Sequence, residues 1–88
     1  MTKQILKYKL KTHTSVFEMP AGARVLSVTV CNGGAGAFLW VLADTSRPLT
    51  TRTFDICGEG LPVRDGENIY VGTFTLLEGA LVFHIFEK

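Results

Sequence analysis

Ala37-Phe38-Leu39-Trp40-Val41-Leu42-Ala43 decides the fold. Successive side chains of an extended chain point to opposite faces, so Phe38, Trp40 and Leu42 line one face of a strand and Leu39 and Val41 the other. Both faces are apolar and both need cover. In a thin sheet the domain's own core covers one, which leaves the second for another subunit or a bound ligand. Trp40 is the first candidate for the anchor of that contact, because Trp is enriched among binding hot spots. The competing reading makes it a plug at one end of the core.

Outward from this strand, no segment of helical length carries a three-to-four residue apolar period, while two-residue alternation recurs from end to end. Toward the N-terminus, Asn32-Gly33-Gly34-Ala35-Gly36 is a turn. Before it, Arg24 to Cys31 forms a strand with Leu26, Val28 and Val30 on the core face and Ser27 and Thr29 opposite. Pro20-Ala21-Gly22-Ala23 is a further turn, preceded by a short strand at Val16 to Met19. The first strand, Ile5 to Lys11, turns Leu6, Tyr8 and Leu10 inward and Lys7, Lys9 and Lys11 outward, a lysine stripe that discourages edge-to-edge pairing. Toward the C-terminus, Asp44 to Thr51 is a polar loop and Arg52 to Cys57 a strand, with Phe54 and Ile56 on one face. A glycine-rich, charged loop from Gly58 to Asn68 follows, and loops of this length in small domains are disproportionately functional. Ile69 to Thr75 and Ala80 to Glu87 pair as a hairpin about Leu77-Glu78-Gly79, with Gly79 supplying the positive φ. The last strand, with Leu81, Phe83 and Ile85 against Val82, His84 and Phe86, is again apolar on both faces.

The expected architecture is therefore one all-β domain over residues 1–88, a small seven-stranded antiparallel sandwich or closed barrel. A chain of 88 residues hides only about 60% of its unfolded surface, and a hydrophobic content of 47% is generous for so small an interior. Self-association is the economical use of the excess, with Phe38, Trp40, Leu42 and Phe86 as interface residues. The net charge of +1 gives no global pull toward nucleic acid or acidic lipid. It conceals an asymmetry: residues 1–24 carry five basic side chains against one acidic, a balance of +4, and residues 25–88 carry −3. With no apolar run of about 20 residues and no signal-peptide pattern, the expectation is a cytoplasmic protein with no membrane partner. Cys31 and Cys57 are then expected as reduced, buried thiols.

No nucleophile-base pair, carboxylate pair or metal-ligand spacing is assembled along the chain, so a cofactor-free, non-enzymatic protein is expected. Cys31, Cys57, His13 and His84 lack the close pairing of a zinc site. The residues suited to a ligand are Arg47, Arg52 and Arg64, which flank the two polar loops and could grip a phosphate or carboxylate bidentately. Gly58 and Gly60 offer exposed amides, and Thr53 and His84 complete the candidate set. The competing reading pairs these arginines with Asp44, Asp55, Glu59 and Asp65 as surface ion pairs.

At Thr51-Arg52-Thr53-Phe54-Asp55-Ile56-Cys57-Gly58-Glu59-Gly60, and again at Tyr70 to Phe74 and Leu81 to Glu87, the chain resembles a family of short, largely uncharacterised proteins of tailed phages and bacteria. The likeness extends to Met19-Pro20-Ala21-Gly22-Ala23 and Trp40. It implies a phage or prophage origin but no reaction or ligand. Phages encode small oligomeric β proteins that act by binding, some sequestering nucleotide signals of host immunity. The resemblance therefore fits a homo-oligomer holding a small anionic ligand, or alternatively a module that inhibits or adapts a host or virion protein.

Overall fold

The computed structural model describes residues 3–30, 36–63, 66 and 68–88, and in them the chain is all-β. The strands are β1 (Lys3–Lys9), β2 (Thr14–Pro20), β3 (Arg24–Val30), β4 (Ala37–Asp44), β5 (Leu49–Gly58), β6 (Ile69–Leu76) and β7 (Leu81–Glu87). They form a three-stranded sheet in the order β1-β4-β3 and a four-stranded sheet in the order β2-β5-β7-β6, antiparallel throughout. No ladder among the described residues joins the two sheets. The closed-barrel alternative is thereby corrected to a sandwich-like pair of sheets.

β4 lies at the centre of the three-stranded sheet, between β1 and β3. Its Ala37, Leu39, Val41 and Ala43 are buried against Met19 of β2, Phe54 of β5, Phe74 of β6 and Ile85 of β7. Tyr8, Phe17 and Phe54 carry this core across both sheets, with ring centroids 5.1 and 6.0 Å apart. Leu6 and Tyr8 face inward between exposed lysines, as the alternation requires. Ser15 is fully buried, and its hydroxyl oxygen takes the Lys11 amide hydrogen at 2.8 Å, so no polar orphan results.

In β3 the expected inward face holds at Val28 and is corrected at Leu26 and at Val30, which is 38% exposed. The register passes from Val25 opposite Val41 to Ser27 opposite Trp40, so Leu26 is a bulged residue and 45% exposed. One extra residue reverses the side-chain phase on the Arg24–Val25 side of the bulge, so Val25 joins Val28 on the core. A second bulge lies between Tyr70 and Gly72 in β6. It brings Gly72 under Val28, where a Cβ would lie 3.1 Å from the valine Cγ2. The glycine leaves room for β3 to pack against β6 at this point.

Two turns differ from expectation in detail. Ala23 N–H donates to Pro20 O at 3.1 Å and Gly22 has φ +77°, which places Pro20 at the first turn position and makes Gly22 the residue that permits the turn. In the β6–β7 hairpin, Leu77 and Glu78 share positive φ (51° and 55°) with Gly79, so the loop is left-handed over three residues rather than at the glycine alone. Among the described residues no helix is long and apolar enough to cross a membrane.

Candidate functional site

Strand pairing at one end of the sandwich collects charges that lie far apart in the chain. Lys3 of β1 stands opposite Asp44 of β4, and Arg24 of β3 stands opposite Leu42 on the same outer face. The loop after β4 then folds back: Arg47 N–H donates to Asp44 O at 3.1 Å, and Ala21 N–H donates to Pro48 O at 2.8 Å. These bonds set Arg47 against Gly22, with Nη1 3.4 Å from where a glycine Cβ would sit. The result is a cleft of about 310 Å³ lined by Lys3, Ala21, Gly22, Arg24, Leu42, Asp44 and Arg47.

Three cations face one carboxylate here, and that carboxylate is already occupied. Asp44 accepts from Ser46 Oγ at 2.6 Å and from Ser46 N–H at 3.0 Å. These hydrogen bonds, the side-chain one foremost, hold its carboxyl below the usual range, with Arg47 and Lys3 contributing further. No ion pair to Lys3, Arg24 or Arg47 forms among the described residues. The cleft thus presents uncommitted positive charge, two guanidiniums and an ammonium, to any anion of phosphate size.

The residues singled out in sequence are not gathered around one cavity. Arg47 lines this cleft. Arg52 instead lies on the inner face of β5, where Nε donates to Glu87 Oε2 at 2.7 Å, Nη2 to Glu87 Oε1 at 2.8 Å and Nη1 to Ala23 O at 2.5 Å. That clasp ties β5 to β7 and to the turn before β3, and the Glu87 hydrogen bond raises the guanidinium's already high pKa. Gly58 and Gly60 sit at the far end of β5, roughly 30 Å from Arg47 at about 3.3 Å per residue, too far to share a small ligand with it. Gly58 is closed by Leu61, whose Cδ1 would lie 3.1 Å from an added Cβ. Thr53, whose carbonyl receives Lys88 N–H, and His84 lie on the outer face of the four-stranded sheet. His84 Nδ1 is 2.9 Å from Thr73 Oγ1, itself 2.5 Å from Tyr70 Oη. Arg64 and Cys31 lie outside the described residues, and Cys57 is a buried free thiol.

The four interface candidates divide between two faces. Phe38, Trp40 and Leu42 form a row on the outside of the three-stranded sheet, half-buried, with Lys7 Nζ 4.7 Å from the Phe38 ring centroid and 5.9 Å from that of Trp40. Trp40 Nε1 donates to Thr29 Oγ1 at 2.7 Å. Phe86 lies on the outside of the other sheet, edge-to-face with Tyr70 at 5.9 Å. Leu42 belongs both to the apolar row and to the cationic cleft, so the two surfaces are continuous. Sequence reasoning missed Lys3 and Arg24. The signal that finds them is strand pairing, since only β4 between β1 and β3 brings them to Asp44 and Leu42.

No curated protein and no solved structure matches the chain. A family profile matches it from residue 1 to residue 88, and by that match the chain belongs to the family DUF7352, a domain of unknown function.

Proposed function

We propose that the protein is a non-enzymatic binding domain that assembles as a homo-oligomer and holds a small phosphate-bearing anion, such as a nucleotide, in the Lys3–Arg24–Arg47 cleft. The observation that supports this reading is the convergence of three cations, unpaired among the described residues, on one cleft in which the carboxylate of Asp44 is satisfied by Ser46. Each charge-assisted hydrogen bond to a phosphate is worth about 1.5–3 kcal/mol, and a guanidinium can make two in parallel. The apolar row that ends in Leu42 gives a second copy a place to sit beside the ligand, so that the site is roofed by a neighbour. Sequestering a nucleotide signal would suit a chain that resembles short phage proteins.

The test is calorimetric titration with inorganic pyrophosphate and a panel of cyclic and linear nucleotides, alongside light scattering. Arg47→Ala and Arg24→Ala should each weaken binding at least tenfold, the equivalent of about 1.4 kcal/mol. Light scattering should report a multiple of the 9.7 kDa chain. No heat with any ligand, or unchanged binding in both variants, rejects the anion site. In that case the alternative takes precedence, an interaction module for a host or virion protein. It is favoured by Tyr70 and Val16, apolar side chains more than half exposed on the sheet face that carries Phe86.

A further inference from the structure

At the opposite end of the sandwich the core itself is open. Buried Leu10, Ala37 and Phe74 form the floor of a cleft of about 470 Å³, and half-buried Ile56, Leu76 and Phe83 form its walls. Phe74 of the floor and Phe83 of the wall stack with centroids 5.3 Å apart and planes 22° from parallel. The volume falls in the range of pockets that enclose a small molecule, about 300–1,000 Å³. The rim is polar on one side only. There the β1–β2 connection places Lys11, Thr12 and His13, and among the described residues no carboxylate lines the cleft.

The connection is fixed through its backbone. Lys11 N–H donates to Ser15 Oγ at 2.8 Å, and His13 O accepts Ile56 N–H at 2.8 Å. The Lys11 ammonium forms no ion pair among the described residues. We infer that this cleft binds an amphiphile with an apolar chain and a single carboxylate head, the chain lying between the sheets against Phe74 and Phe83 and the head meeting Lys11 at the rim. The apolar floor selects the chain, and the Lys11 ammonium at the rim selects the head. This site is independent of the cationic cleft at the other end and stands or falls separately from it.

The experiment is an NMR titration of the labelled protein with hexanoate, octanoate and decanoate at submicellar concentration, and with decanol as the uncharged counterpart. Saturable shifts should centre on Leu10, Ile56, Phe74, Leu76 and Phe83, with affinity rising by up to about fourfold per added methylene. Lys11→Glu, an exposed change that leaves the core intact, should weaken decanoate at least fivefold and leave decanol within twofold. Leu76→Trp, checked for fold by its spectral dispersion, should fill the cleft and remove both. The inference is overturned if no acid gives saturable shifts, if the shifts centre on Lys3, Arg24 and Arg47, or if Lys11→Glu weakens decanoate and decanol alike.

Discussion

Replacing Arg52 by Met separates a structural role from a ligand-binding one. The substitution keeps an apolar stem beside Phe54, whose ring centroid lies 5.8 Å from the guanidinium carbon, and removes the two hydrogen bonds to Glu87 and the one to Ala23 O. Breaking a fully buried ion pair costs about 3–5 kcal/mol, because the surviving charge is left without a partner. Here the two side chains keep 20% and 19% of their surface in water, so Glu87 can partly rehydrate and the expected loss is about 2–3 kcal/mol. Urea unfolding of the wild type, Arg52→Met, Glu87→Gln and the double variant forms a cycle, in which the pair should show a coupling of about 1 kcal/mol or more. Pyrophosphate binding by the folded Arg52→Met protein should remain within twofold of wild type. A stability change below about 0.5 kcal/mol, accompanied by lost anion binding, would refute this account and make Arg52 a ligand residue.

Gly72→Ala should cost about 1–3 kcal/mol by chemical denaturation, because the added methyl would lie 3.1 Å from Val28 Cγ2 and the valine must give way in a packed interior. Glu78→Gly should stabilise by about 0.5–1 kcal/mol, since it relieves a left-handed backbone at an exposed non-glycine residue, and a lower unfolding midpoint would contradict that. Asp44→Ala tests acid sensitivity. The folded carboxyl is held below its ordinary value of 3.8, so its contribution is present above that pH and is lost as pH falls through the lower folded value. The stability gap between wild type and variant should therefore be constant near neutrality and close in acid; a gap that widens there would give the wrong sign. Trp40→Ala should cost about 2 kcal/mol, below the 3–5 typical of fully buried aromatic rings, because Trp40 is half-buried. Melting that becomes independent of protein concentration in the variant alone would mark its face as the assembly surface.

Strand positions and most strand faces were legible because each depends on a local two-residue period. Leu39 and Val41 against Phe38, Trp40 and Leu42 is such a case, and so is Lys7 and Lys9 against Leu6 and Tyr8. The period breaks where a residue is inserted, and nothing local announces the bulge at Leu26, whose neighbour Val25 takes its place in the core. The candidate site was less legible for a related reason. Arg47, Arg52 and Arg64 are near one another in sequence, but Arg47 stays in the loop before β5 while Arg52 is turned by the strand's alternation onto its inner face, so the two end on different surfaces. The charges that do meet, Lys3, Arg24 and Arg47, come from two sheet edges and a loop. Their meeting depends on β4 inserting between β1 and β3, a choice that sequence order alone leaves open.

The length of β5 separates the two clefts by most of the molecule, and no residue lines both. Substitutions that far apart and without shared partners act additively on stability. On the two proposed binding readings, each mouth of the sandwich could change its ligand while the other is held under selection, and a lineage could lose one without penalty to the other. Variation across the family would then fall into two independently changing groups, one around Lys3, Arg24 and Arg47 and one around Lys11, Leu76 and Phe83, with the Arg52–Glu87 clasp constant in both.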